Sequence, residues 1–330
     1  MHNTKGILML NKIMLTLAAA AIALPAFAQS PGWTRDWPNT DFSKTSVDFN
    51  EIMSGGPGKD GIPALASIEV VFVSEVEFSE REPVVTVKMD GVIPRAYPIR
   101  YLTWHEIAND ELGGIPIAVT FCPLCNSALV FDRRLDGQVL EFGVSGKLRN
   151  SDMVMFDRQT DSWWQQLTGE GIVGEMTGKQ LTPIVSWTES LGEFRERNPN
   201  GEVMAQPARY NRQYGANPYA GYDSSRRPFL YDGSDPPHGI APLSRVIHVG
   251  NRAWPLQRLQ EAREIIEAGV RIGWRTGMAS ALGARRIADA KDIGSIRVYD
   301  AATGEDVVHE VTFAFAFDAF APDGEWMLVN

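Results

Sequence analysis

Cys122 and Cys125 are the only cysteines in the 330-residue sequence, and they stand together in VTFCPLCNSALVFD, residues 119–132. A C-x-x-C pair sets two sulfurs on one turn, close enough to bridge each other or to share a metal ion. A bridge would close a loop of four residues. The chain-entropy account gives such a loop about 2 kcal/mol, well below a long-loop bridge. A redox pair needs a thiolate stabilised by a helix N-terminus or a nearby cation. Here NSALVFD follows Cys125 and is strand-like, with no thioredoxin-type βαβ pattern around the pair. As a zinc site the two thiolates are incomplete, and no second C-x-x-C completes a ribbon. The soft or borderline partners are His105, Met153, Met155 and His248. A Cys/Cys/His set, with or without Met, suits copper(I). Copper is therefore the expected cofactor. His105 is the first further ligand candidate, and Met153 and Met155 follow. A helix holding His105 that runs antiparallel to GIPIAVTF leaves the imidazole about 15 Å from Cys122. A different packing is needed to bring them together.

Other chemistries fail on spacing. HEIAN, residues 105–109, lacks the second histidine of H-E-x-x-H, because position 109 is Asn. FGVSGKLRNSD, residues 142–152, is neither a G-x-S-x-G elbow nor a phosphate loop. It reads as a tight turn between strands, with Ser145, Asn150, Ser151 and Asp152 as a polar rim near the cysteines. Asp157, Asp161 and Glu170 are carboxylates from which no spacing selects a glycosidase pair. In the pair Trp163-Trp164, strand alternation turns one ring inward and one outward.

The elements that must position these residues are mostly strands. IEVVFVS, VVTVKM, IPIAVTF, SALVFD, VLEFGV and DMVMFD have strand composition, and VTFAFAFDAF, residues 311–320, alternates like a half-buried strand. Residues 98–110 and 255–269 predict helices, each with Pro in its first turn, and 188–198 a third with Thr188 as N-cap. RAYPIRYL (95–102) and RAWPLQRL (252–259) agree at four of eight positions. The predicted fold is therefore α+β, mainly β, with two imperfectly repeated strand–helix–strand halves. The first half, 67–208, follows an extended lead-in, 29–66, and carries the cysteines. A Tyr- and Pro-rich segment, 209–239, joins it to a degenerate second half, 240–330. That segment has five tyrosines, more than a free linker holds, which predicts packing on a surface.

Residues 1–28 have the pattern of a secretory signal peptide: Lys5 and Lys12, an apolar run to Leu24, and Ala26-Phe27-Ala28 before the cut. Removing its two lysines leaves 29 basic against 41 acidic residues, a net charge of −12. That charge argues against nucleic acid or anionic lipid as partner. No later segment is long and apolar enough to span a bilayer. The expectation is a periplasmic or secreted protein whose partner is a metal ion or a small molecule.

RAYPIRYLTWHEIAND, VTFCPLCNSALVFDR, YGANPYAGYD and the long run from FGVSGKLRNSD to GKQL resemble the family of domains of unknown function 3179, over roughly residues 80–250. The resemblance implies an exported protein but brings no settled activity. It implies pattern positions at Arg95, Tyr97, His105, Asn109, Asp110, Cys122, Cys125, Ser145, Gly146, Asn150, Ser151, Asp152, Asp157, Ser162 and Trp164. On that basis Arg95, Tyr97, Asn109 and Trp164 join the pocket rim. The Ala- and Arg-rich segment 268–292 departs from the pattern. Two alternatives to the copper site stay open: a metal-free thiol–disulfide oxidoreductase, and a non-catalytic binding or assembly protein with Cys122–Cys125 as a local clip.

Overall fold

A computed structural model describes residues 32–328. The signal-peptide reading of residues 1–28 falls outside them. The architecture is mainly β: five propeller-like sheets of three to five strands and one two-stranded ribbon. Among the described residues there are four α-helices of seven residues each: α1 (Ile99–His105), α2 (Leu191–Arg197), α3 (Leu256–Ala262) and α4 (Ala314–Phe320).

This corrects the expectation of strand–helix–strand halves. Parallel strands joined through a helix need a crossover long enough to cover the sheet. Two turns of helix are too short for that, so most strands pair with neighbours in antiparallel hairpins. Pro83–Val87 pairs with Arg95–Pro98; α1 follows, and then comes the meander Ile107–Leu112, Ile115–Cys122, Ser127–Asp132. The later segment runs in the same order. Arg245–Val249 pairs with Arg252–Pro255, and α3 leads into Glu264–Glu267, Val270–Arg275 and Ser295–Asp300.

The helices predicted over 98–110 and 255–269 are each half helix and half strand. Glu106 (φ 59) and Arg263 (φ 68) end them in a positive-φ conformation that is uncommon outside glycine, and the chain turns straight into a strand. VTFAFAFDAF also divides. Glu310–Phe313 is strand and Ala314–Phe320 is α4. Ala314, Phe315, Ala316 and Phe317 are all buried, so burial on several sides overrides the alternating pattern. Helix α2 is capped by Ser190, which accepts from the Glu193 amide, rather than by Thr188.

The largest core cluster draws on both segments, with Phe121, Cys122, Cys125 and Trp164 from one and Phe313 and Phe315 from the other. All five tyrosines of 209–239 pack against it. The lead-in contributes Trp37, Phe49 and Ile52 to a separate cluster with Phe156 and Trp163. Gly146 (φ 74) lets this lead-in approach, because a Cβ there would stand 2.0 Å from the Pro57 carbonyl oxygen.

One buried acid outside the candidate site has a measurable consequence. Glu82 lies 3.1 Å from Arg100 Nε, but its oxygens make no aligned hydrogen bond. Burial outweighs the guanidinium and pushes its carboxyl up to about 7. The folded pKa exceeds the unfolded one, so the folded state binds more protons between them. Stability is fullest below about pH 4.5 and falls as pH rises towards about 7. Glu82→Gln is expected to flatten that fall, by at most about 3 kcal/mol, in urea titrations at successive pH values. An unchanged pH profile would refute the assignment.

Candidate metal centre

The cysteines sit on a hairpin loop. Cys122 and Ser127 are the last paired residues of Ile115–Cys122 and Ser127–Asp132, so Pro123 to Asn126 form the connection. Asn126 (φ 55) takes the positive-φ position that asparagine tolerates. A second hairpin end meets this loop. Phe142–Arg149 and Asp152–Asp157 are joined by Asn150 (φ 48) and Ser151 (φ 62), the two positive-φ residues of a type I′ turn. The Ser151 carbonyl oxygen lies 3.6 Å from Cys125 Sγ and 4.0 Å from Cys122 Sγ.

This contact delivers Asp152 to the thiols. The ligand atoms of Cys122, Cys125 and Asp152 lie within 4.8 Å of one another, and all three residues are buried. Both cysteines are free. Asp152 Oδ2 accepts from Gln165 Nε2 (2.6 Å) and from the Leu167 amide (3.0 Å). Its Oδ1 is buried with no protein partner. A buried acceptor left unpaired is costly, and a cation beside two sulfurs would satisfy it.

The electrostatics lack a positive charge. Burial pushes Asp152 up to about 6 and Glu106 up to about 8, with Asp152 raising Glu106 further. Burial also raises Cys122, and Cys125 more strongly. Glu310 adds to the acidic surroundings of Asp152. A bound metal ion reverses this balance by stabilising every deprotonated donor.

The second segment braces the loop. Cys125 O accepts from the Phe313 amide (2.9 Å) and from Thr312 Oγ1 (2.8 Å). Asn126 Nδ2 donates to Val311 O at 2.8 Å, and Ser127 Oγ donates to Glu310 Oε2 at 2.9 Å. Beside the cluster is a cavity of about 450 Å³, whose wall includes Glu106, Leu124, Met153, Tyr219, Tyr222 and Phe229.

Most of the residues expected at the site do other work. His105 is not with the thiols. Its Nδ1 is 2.7 Å from Pro63 O and its Nε2 is 2.7 Å from Tyr214 Oη. The carbonyl requires a donor, so Nδ1 carries the proton and Nε2 accepts from the phenol. Both nitrogens are thereby used. Arg95 pairs with Asp110 and Glu202 at 2.6 Å each, and Tyr97 donates to Asp110 at 2.7 Å. Asn109 ties the lead-in to Phe142 through Leu65 O (3.1 Å) and Phe142 O (2.9 Å). Ser145 bonds Val154 O across the hairpin. Asn150 shapes the turn. Trp164 Nε1 donates to Asp157 at 2.8 Å. Met153 lines the cavity, while Met155 is buried in the same core as the thiols. His248 lies 3.7 Å from Glu310.

Asp152 is thus the one residue of the expected rim whose side chain joins the cysteines, while Ser151 meets them through its carbonyl oxygen. Glu106, Tyr219 and Tyr222 border the same space and were not singled out by spacing. Their only sequence signals are an acid between His105 and Ile107 and a tyrosine-rich connector.

Fold and site define a mainly β protein with a buried thiol–carboxylate group able to hold a metal ion. The chain belongs to the family described as Protein of unknown function (DUF3179), which it matches over residues 59–324. The match extends well past residue 250 and includes the Ala- and Arg-rich segment 268–292. No curated protein and no solved structure matches the chain. Among the described residues no helix is long and apolar enough to cross a membrane.

Proposed function

We propose that the protein binds one thiophilic metal ion through Cys122, Cys125 and Asp152, in an exported setting. The observation that carries this is the buried cluster in which a carboxylate oxygen of Asp152 and both sulfurs lie within 4.8 Å of one another, with Asp152 Oδ1 left without a hydrogen bond. Copper was expected with His105 as ligand. Replacing an imidazole with a carboxylate changes the preference. Two thiolates and a carboxylate carry three negative charges, of which a divalent ion leaves one and copper(I) leaves two. Net charge in a buried site is expensive, and zinc accepts both Cys and Asp. Zinc is therefore the favoured occupant and copper(I) the competitor.

The metal-free redox reading is less well supported. It needs a thiol with a lowered pKa, whereas burial raises both, and the loop presents no helix N-terminus. The leader-like residues 1–28 support export, which cell fractionation with N-terminal sequencing of the recovered protein would test. The metal reading is tested by reconstituting the reduced protein with zinc or copper(I), desalting, and measuring bound metal and free thiols. One zinc per chain with both thiols protected is the expected result. No retained metal and two freely titrating thiols would overturn it.

A further inference from the structure

The cavity beside the thiols has a chemistry of its own. Its wall carries two charged residues, Glu106 and Lys147. The Lys147 ammonium is directed to Trp33, 5.5 Å from the ring centroid, and Trp33 is not part of the wall. That leaves Glu106 as the acid facing the cavity. It is 7% exposed, and its carboxyl makes no hydrogen bond or ion pair among the described residues. The positive φ of 59° at this residue, where α1 gives way to strand, fixes the direction in which the side chain leaves the backbone.

Around this acid the wall is aromatic and aliphatic. Tyr219, Tyr222 and Phe229 supply three rings, and Leu124 and Met153 supply apolar surface. Phe229 is 51% exposed, so part of its ring is open to a ligand in the cavity it lines. The Tyr222 hydroxyl is held by Leu124 O at 3.1 Å and by the Phe229 amide at 3.2 Å, which ties two of the rings to the cysteine loop.

An anionic ligand would meet Glu106 and, behind it, Asp152. A neutral ligand would leave the buried carboxyl protonated, since burial holds it up to about 8, whereas a cation beside it would favour the carboxylate. A hydrated metal ion would need several oxygen ligands, and this wall offers one carboxylate among rings and aliphatic side chains. A cation with an apolar surface meets every requirement, because ring faces attract such a charge while the carboxylate pairs with it.

We propose that this cavity binds a small organic cation of the alkylammonium class, with Glu106 as counter-ion and Tyr219, Tyr222 and Phe229 as its walls. The proposal goes beyond the metal reading and does not require a metal at the cysteines.

The test is calorimetric titration of the purified protein above about pH 8, where the Glu106 carboxyl ionises, with tetramethylammonium, choline and benzyltrimethylammonium, beside 3,3-dimethylbutan-1-ol as the neutral isostere of choline. At least one ammonium ion should bind, and choline should bind about tenfold more tightly than the alcohol. Glu106→Gln should weaken ammonium binding at least about tenfold and leave the alcohol unchanged, since a desolvated charge pair is lost. Phe229→Ala, at a half-exposed position, should weaken it about fivefold. Equal affinity for choline and the alcohol would overturn the proposal. So would ammonium binding unaltered in both variants, or no binding of any of the three ions at millimolar concentration. Metal content measured on the same samples keeps a failure of the cysteine site distinct from a failure of this one.

Discussion

Replacing Asp152 with asparagine is expected to weaken zinc binding by at least about a hundredfold while leaving copper(I) binding within about threefold. Loss of groups that merely orient metal ligands already costs about 10- to 100-fold in affinity, so loss of a direct ligand sets a higher floor. Asparagine keeps the shape of the side chain. Its amide oxygen can still accept from Gln165 and Leu167, which now hold Oδ2 at 2.6 and 3.0 Å, so the hairpin end is preserved. What disappears is the anionic oxygen beside the thiols. Zinc uses that oxygen, whereas copper(I) is satisfied by sulfur. Cys122→Ser removes a donor that both ions need and should abolish both. Competition against a chromophoric chelator gives the affinities, and far-ultraviolet circular dichroism verifies the fold. Zinc affinity unchanged by both substitutions would place the metal elsewhere or nowhere.

The largest expected loss of stability is at Trp163. Its ring is fully buried between Trp33 (4.9 Å between centroids), Trp37 (5.2 Å) and Phe42 (5.5 Å). Trp163→Ala leaves a cavity that these three aromatic neighbours cannot close, and about 3–5 kcal/mol is the usual cost. The effect should reach the ligand cavity, because Pro57 and Ile62 of the same lead-in form part of its wall. Trp164→Phe is the contrasting variant. It keeps an aromatic ring but gives up part of the buried indole and the 2.8 Å bond from Nε1 to Asp157, for about 1–3 kcal/mol. Urea unfolding of both proteins provides the comparison. A Trp163→Ala loss below about 1 kcal/mol would mean that the lead-in is not anchored through this ring.

Both indoles are buried, although strand alternation predicts that one faces out. Alternation does place them on opposite faces: Trp163 enters the lead-in cluster and Trp164 the main core. The error lay in taking the outward face to be solvent. In a set of small sheets covered by other segments, both faces are interior. The same condition explains α4, where an alternating apolar pattern folds as a buried helix.

The sequence alone determined the local features. It determined the strand runs on either side of the cysteines and the loop that holds both sulfurs, while the turn read into residues 142–152 narrows to Asn150-Ser151 after the strand Phe142–Arg149. These depend on neighbours a few residues apart and on fixed periodicities. It also distinguished the tyrosine-rich connector from a free linker. Tertiary structure alone decided what the thiols meet. His105 was the ligand candidate and Asp152 only a rim residue, and nothing in their spacing put the carboxylate at the thiols. The choice was made by two hairpin ends packing against each other through the Ser151 carbonyl. It was also made by the positive-φ residue that turns Glu106 into the cavity, and by the strand Glu310–Phe313 bracing the loop from the far end of the chain. Such contacts join segments remote in sequence through packing and buried hydrogen bonds, and no local pattern records them. VTFCPLCNSALVFD therefore specified a pair of thiols, and the fold supplied their carboxylate, their cavity and their charge.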